Sequence, residues 1–223
     1  MTFLNINHTA HVDLRRKIIS TAQKMNALGI NHGKSGNVSA RADEGFLITP
    51  TGIAYDDTQP EHIVATQFDG RFEADLLPSS EWRFHADIYR ARADVHAIIH
   101  THSAYATTLA CMGRNIPAFH YMIAVAGGRN IRCAPYATFG TQALSDHALA
   151  ALDGRDACLL AQHGLIVVGA SLEKALGLAV EVESLARMYW QALQIGEPPI
   201  LGDVEMTIVL EKFRTYGQQA QGQ

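Results

Sequence analysis

The chain has 223 residues, with 18 Lys and Arg against 22 Asp and Glu, and its formal net charge is −4 at pH 7. This balance argues against nucleic acid as the main partner, because binding along a phosphate backbone requires a clustered basic surface. Hydrophobic residues make up 48% of the chain, which is enough for one sizeable core. The sequence has no run of about 18 apolar residues that would indicate a membrane span.

The N-terminal residues and the cysteines favour a cytoplasmic protein. The stretch MTFLNINHTAHVDLRRK has no charged segment followed by an apolar one, so we expect no secretory signal. Cys111, Cys133 and Cys158 are odd in number and far apart, which favours free and mostly buried thiols over disulfide bonds. We expect a single domain over residues 1–223, with a disordered tail over about residues 218–223.

Hydrophobic periodicity and turn residues predict a mixture of helices and strands. In chain order, we expect a helix at 13–29, strands at 37–41, 46–50 and 62–68, a helix at 78–94, a strand at 97–103, a helix at 104–112, a strand at 131–137, a helix at 141–154, a strand pair at 157–170 bent at Gly164, and helices at 171–194 and 204–217. The elements do not follow a strict βαβ rhythm. We therefore expect an α/β sandwich with a largely antiparallel sheet rather than a doubly wound parallel one.

Two histidines two residues apart end the apolar run AIIHTHS. Side chains at i and i+2 of a strand project from the same face, so His100 and His102 can contact one ion. The same pattern is compatible with one histidine in the core and the other facing solvent. His163, in a second apolar segment, can add a third imidazole beside them. Three histidines with an open coordination position are typical of catalytic zinc sites.

A carboxylate lies near the start of the helix that precedes these histidines. Glu81 is outside the histidine set and can move protons beside a metal, although the helix dipole alone also favours an acid in a first turn. Ser79 and Ser80 at the same helix start can bind an anion through free N–H groups. They are also explained as simple N-caps.

Two further polar turns can complete a phosphate site. These are SGNVS, which contains Asn37, and TPTGI, which contains Thr51 and Gly52. Their side chains and backbone N–H groups can bind phosphate oxygens. Each turn is also explained as an ordinary chain reversal.

Eight strings of the sequence together resemble the class II aldolase and adducin-head superfamily. They are GNVSAR, LITPTGIAY, LPSSEWRFH, HTHSAYATT, FHYMIA, CAPYATFGT, QHGLIV and VLEKFRTYG. Within the superfamily they are most similar to the aldolases that cleave L-fuculose 1-phosphate, and the likeness covers nearly the whole chain. The resemblance implies a three-layer sandwich with helices on both sides of a central, largely antiparallel sheet. It also implies a homotetramer with active sites between subunits.

The resemblance implies a role for each candidate residue. His100, His102 and His163 match the ligands of one zinc ion per subunit, and Glu81 matches the acid–base residue beside that ion. Tyr121 matches a tyrosine that reaches a neighbouring subunit's site and donates a proton to the aldehyde oxygen. The residues that match the phosphate-binding positions are Asn37, Thr51, Gly52, Ser79 and Ser80. Those that match aromatic positions on the aldehyde side are Phe139, Phe213 and Tyr216.

The implied reaction is cleavage of a ketose 1-phosphate through a zinc-stabilised enediolate, without a lysine Schiff base. L-Fuculose 1-phosphate would give dihydroxyacetone phosphate and L-lactaldehyde. An alternative substrate is 5-deoxyribulose 1-phosphate or 5-methylthioribulose 1-phosphate, because an apolar pocket distinguishes one methylene by only about 1–3 kcal/mol. Epimerases, decarboxylases and dehydratases of the superfamily, and a non-enzymatic adducin-like module, are further alternatives. Glu81 together with Tyr121 favours an aldolase over these.

Overall fold

The computed structural model describes residues 11–43, 45–72 and 76–215. The predicted tail from about residue 218 and the candidate residue Tyr216 lie outside this range. Within it, no helix combines the length and the apolar character needed to cross a membrane.

A seven-stranded sheet forms the central layer. Its strands are β1 (Asn37–Ala42), β2 (Gly45–Ile48), β3 (Val64–Gln67), β4 (Ala97–Thr101), β5 (Arg132–Ala134), β6 (Ala157–Leu160) and β7 (Gly164–Gly169). They lie in the order β3-β2-β1-β4-β7-β6-β5. All neighbours are antiparallel except β5 and β6. This confirms the predicted α/β class and the largely antiparallel sheet.

Helices cover both faces of the sheet, as expected for a three-layer sandwich. They are α1 (Val12–Ala27), α2 (Trp82–Ala91), α3 (Ala104–Cys111), α4 (Gln142–Leu152), α5 (Leu172–Ile195) and α6 (Asp203–Phe213). Helices α1, α3 and α5 share one core with the sheet, and α2 and α4 share the other. Helix α6 packs on a 3₁₀ helix at Tyr121–Ala126 that the sequence did not predict.

Strand β4 is buried on both of its faces. Ile99 belongs to the core under α1, α3 and α5, whereas Ile98 belongs to the core under α2 and α4. The sequence of a strand that is covered on both sides is a continuous run of apolar residues rather than an alternation of apolar and polar ones. His100, two residues after Ile98, therefore points toward the α2 side at the end of this run.

Several predicted boundaries were wrong, and three of them concern the site. Helix α2 begins at Trp82 rather than Pro78, because the backbone N–H of Ser79 donates to the carbonyl of Thr49 at 3.0 Å and joins this segment to the end of β2. Strand β4 ends at Thr101, so His102 follows it. His163 lies in the turn between β6 and β7 rather than within a strand.

The cysteines are free thiols, as predicted, but the expectation that they are mostly buried was wrong for Cys111, which lies at the exposed end of α3. Cys158 is buried, Cys133 is half-buried and Cys111 is exposed.

Candidate active site

The three candidate histidines lie together where β4 ends and β7 begins. Strands β4 and β7 are antiparallel neighbours, and Thr101 pairs with Leu165, so the turn before β7 meets the residues after β4. One nitrogen from each of His100, His102 and His163 lies within 4.8 Å of the others. The Nε2 atoms of His100 and His102 are 3.0 Å apart. The folding of two separated segments therefore creates one imidazole cluster.

The orientation of the first ring is set by the backbone. His100 is fully buried, and its Nδ1–H donates to the carbonyl of Leu165 at 3.0 Å. In the neutral ring this contact selects the tautomer with a bare Nε2 directed at the cluster, which is the tautomer that a metal requires.

A glycine is required where the two segments approach. A Cβ atom on Gly164 would lie 2.6 Å from the carbonyl oxygen of Thr101 and 2.9 Å from the ring of His102. Real Cβ atoms are essentially never this close to other atoms, so both neighbours of an added Cβ would have to move. Gly164 therefore allows the His163 turn to lie directly beside the end of β4.

Glu81 faces the histidine cluster from the residue before α2. Its Oε2 lies 3.1 Å from Nε2 of His100, and its Oε1 lies 3.1 Å from Nε2 of His163. The Asn37 side-chain amide donates to Oε2 at 3.0 Å. Oε1 is buried and makes no hydrogen bond to any residue that the structure describes.

The protonation states of this cluster suit a cation. Burial acts to raise the pKa of Glu81, but the imidazoles of His100 and His163 outweigh it and hold the pKa well below its ordinary value. Burial and the neighbouring imidazoles lower the pKa of His102 to about 4. The Glu81 carboxyl is therefore ionised and the His102 ring is neutral at pH 7. Three imidazole nitrogens and an oxygen with an unused lone pair fit a zinc-like divalent ion.

The candidate phosphate residues lie on adjacent turns. The backbone N–H of Thr51 donates to the carbonyl of Leu77 at 3.1 Å, which places the Thr51-Gly52 turn beside the segment leading to Ser79 and Ser80. The hydroxyl of Ser79 accepts a hydrogen bond from the backbone N–H of Glu81, two residues later in the chain. Asn37 is connected to the same segment by the hydrogen bond that its side-chain amide donates to Glu81.

A lysine that the sequence analysis did not select ties two of these turns together. The Lys34 ammonium donates to the carbonyl of Gly52 at 2.8 Å. Gly52 has a φ of +76° and open space where a Cβ would be. The turn therefore has a positive charge and accessible backbone at the same point.

The candidate aromatic residues lie elsewhere on the chain. Tyr121 is 47% exposed, and its described ring contacts are with His120 and Phe213. Tyr121 and Phe213 line a cavity of about 590 Å³ beside α6. Phe139 is exposed in the loop before α4, next to Gly140, whose carbonyl accepts a hydrogen bond from Arg83. No described contact joins these three residues to the histidine cluster within one chain.

Sequence reasoning missed three polar residues behind Glu81. Nε2 of His85 is 2.6 Å from Oδ1 of Asn37, and Nδ1 of His85 is 2.7 Å from Oγ of Ser39. That hydroxyl is 2.8 Å from the hydroxyl of Tyr89. The available signal was the spacing of four from Glu81 to His85 and from His85 to Tyr89, which places His85 and Tyr89 on one face of α2, below Glu81 at its start.

Comparison with known proteins agrees with this fold. Residues 16–190 match the family model described as Class II Aldolase and Adducin N-terminal domain. The chain belongs to this family and is a class II aldolase, an aldehyde-lyase.

Its relatives are named for three different sugar phosphates. A 5-methylthioribulose-1-phosphate/5-deoxyribulose-1-phosphate aldolase of Rhodospirillum rubrum is 54% identical over 95% of this chain and 96% of its own length. An L-fuculose phosphate aldolase of Escherichia coli is 53% identical over 92% of this chain and 95% of its own length. A solved L-fuculose 1-phosphate aldolase, 40% identical, superposes with a TM-score of 0.89 over 93% of this chain and 99% of its own.

Proposed function

We propose that this enzyme cleaves L-fuculose 1-phosphate to dihydroxyacetone phosphate and L-lactaldehyde, with zinc held by His100, His102 and His163. The observation that carries the proposal is the Glu81 carboxylate, whose two oxygens each lie 3.1 Å from an imidazole nitrogen of the cluster. This arrangement combines a cation site with an ionised base. When bound, the divalent metal polarises the substrate's carbonyl and hydroxyl oxygens and stabilises the negative charge that develops when C3–C4 breaks.

Glu81 handles the proton on C3. Its depressed pKa means that it is ionised at rest, as a base must be. In the condensation direction it removes a proton from C3 of dihydroxyacetone phosphate, and in cleavage it returns that proton. Its burial keeps bulk water away from the reacting carbon.

Phosphate and aldehyde are bound by other residues. Asn37, Thr51, Gly52, Ser79 and Ser80 hold the phosphate, and the Lys34 ammonium at the Gly52 turn supplies positive charge nearby. Tyr121 exchanges the proton on the aldehyde oxygen in the site of a neighbouring subunit of a homotetramer. The exposure of its ring in one chain supports this assignment. Phe139, Phe213 and Tyr216 form the aldehyde side.

A second substrate is favoured by one specific observation. The Rhodospirillum rubrum relative, named for 5-methylthioribulose 1-phosphate and 5-deoxyribulose 1-phosphate, matches this chain as well as the fuculose-named relatives do. All three ketoses share the dihydroxyacetone phosphate half, so the residues around Glu81 and the phosphate serve each of them.

A substrate panel tests the proposal. The three ketose 1-phosphates are incubated with zinc-loaded enzyme, and released dihydroxyacetone phosphate is measured with and without a chelator. We expect cleavage that the chelator abolishes and zinc restores, with the highest kcat/KM for L-fuculose 1-phosphate. A higher kcat/KM for either of the other two would transfer the assignment to that substrate. Absence of cleavage in all three would contradict the proposed reaction.

A further inference from the structure

A continuous chain of buried polar side chains ends at the Glu81 carboxylate. None of its members is more than 5% exposed. In order, they are Tyr89, Ser39, His85, Asn37 and Glu81. Asn37 and Ser39 lie two residues apart on β1, so their side chains face α2 together. Every hydrogen bond in this chain of side chains therefore joins β1 to α2 or to Glu81, the residue before α2.

The carboxylate determines the direction of the first two hydrogen bonds. An ionised carboxylate only accepts hydrogen bonds, so the Asn37 Nδ2–H must donate to Glu81. The amide oxygen of Asn37 then faces His85 and only accepts. Consequently Nε2 of His85 must carry a proton and donate it to this oxygen.

The directions of the remaining two hydrogen bonds follow from the neutral state of the His85 ring. Burial lowers the pKa of His85 to about 3, with a smaller contribution from His100, so the ring has a single N–H at neutral pH. Because that N–H is at Nε2, Nδ1 accepts from the hydroxyl of Ser39. Ser39 in turn accepts from the hydroxyl of Tyr89. Each of the four hydrogen bonds of the chain then has one donor and one acceptor.

We propose that His85, held by Ser39 and Tyr89, is a positioning residue that fixes the orientation of the Asn37 amide and thereby the Glu81 carboxylate. An amide turned by 180° would place its oxygen against Oε2 of Glu81 and its NH₂ group against the N–H of His85. Both contacts would be repulsive and unsatisfied in a buried site. The inference rests on the proposed function, because it assigns these residues to the step that Glu81 performs.

The test removes single hydroxyls from the chain. Ser39→Ala takes away the donor to Nδ1 of His85, so the ring can change tautomer and the Asn37 amide can turn. At saturating dihydroxyacetone phosphate, we expect solvent exchange of its C3 proton to slow by about tenfold. Tyr89→Phe, which leaves the Ser39–His85 bond in place, should slow exchange by only about twofold. Ser39→Thr keeps the hydroxyl and should restore the rate.

A matched control separates positioning from simple loss of stability. Ser145 is also buried, and its hydroxyl donates to Asp87 at 2.6 Å, away from this chain. Ser145→Ala should lower the unfolding midpoint without slowing proton exchange. Equal slowing in Ser39→Ala and Ser145→Ala, or an unchanged exchange rate in Ser39→Ala, would overturn the inference.

A second measurement is independent of activity. ¹⁵N NMR of the ring, assigned through His85→Gln, should show a protonated Nε2 and a bare Nδ1 in the wild-type protein. The opposite tautomer would overturn the positioning role even if the enzyme cleaves its substrate. A wild-type enzyme that has the expected tautomer but cleaves no ketose 1-phosphate would instead overturn the proposed function, and the inference with it.

Discussion

Glu81 precedes the first residue of α2 and His100 is the next-to-last residue of β4, yet Oε2 of the carboxylate lies 3.1 Å from Nε2 of the ring. Such an approach in a buried site requires the imidazole nitrogen and the carboxylate to share a positive partner, a proton or a metal ion. His163 approaches the other oxygen at the same distance, so the carboxylate bridges both segments of the cluster.

Replacing the carboxylate by an amide tests its role as a base. Glu81→Gln keeps the side-chain volume and should retain metal, but kcat should fall by about 10²–10⁴-fold because an amide cannot accept the C3 proton. Steady-state kinetics and metal analysis on the same sample measure both properties. Glu173→Gln, at an exposed position of α5, is the control and should leave kcat unchanged. Full turnover in Glu81→Gln would remove the assigned role.

Removing one imidazole tests the ligand set. His102→Ala should lose bound zinc, because two histidines rarely hold this ion tightly without a third ligand. His96→Ala, at an exposed position just before β4, serves as the control for a general effect of removing a histidine. Zinc content measured after dialysis should fall only in the first variant. Equal zinc in both would refute the three-histidine assignment.

Adding one methyl group at Gly164, where the His163 turn lies against the end of β4, tests the close packing of these two segments. Gly164→Ala should lower the free energy of unfolding by about 1–3 kcal/mol and weaken metal binding, because its Cβ would overlap the carbonyl of Thr101. Gly177→Ala, in α5, has open space at the Cβ position and should raise the free energy of unfolding by up to about 1 kcal/mol. Urea titrations distinguish them. A Gly164→Ala protein as stable as Gly177→Ala would contradict the described packing.

The neutral state of His85 predicts a pH dependence of stability. Its pKa is about 3 in the folded chain, below its ordinary value of about 6.5, so between these values the unfolded chain binds one more proton than the folded chain. The free energy of unfolding should therefore fall by about 1.4 kcal/mol per pH unit from this group as pH decreases through that interval.

His85→Gln should remove this component of the pH dependence. Urea unfolding of both proteins at several pH values between 4 and 6, with a chelator present, measures the difference in slope. The two slopes should differ by close to one proton. Identical slopes would show that His85 is protonated inside the fold.

Much of the architecture could be predicted because helices and buried strands leave local patterns. Helix α5 was predicted within one residue at either end, and Ser171 caps it through the backbone N–H of Lys174. The start of α2 could not be predicted, since it depends on pairing of Ser79 with Thr49, thirty residues earlier.

The clustering of the three histidines could be predicted from the sequence, but their positions relative to the strands only partly. His102 and His163 were expected on strands, but His102 directly follows β4 and His163 lies in the turn between β6 and β7. The chain of buried polar side chains that ends at Glu81 was not predicted, since Ser39 and His85 are brought together only when β1 packs against α2.

The central claim is that three imidazoles from two segments hold one divalent ion beside Glu81. Anomalous X-ray scattering at the zinc edge, from crystals of zinc-loaded enzyme, tests it most directly. We predict a single peak about 2.0–2.1 Å from one nitrogen each of His100, His102 and His163. No peak at this position, or a peak bound by fewer than three of these rings, would contradict the account.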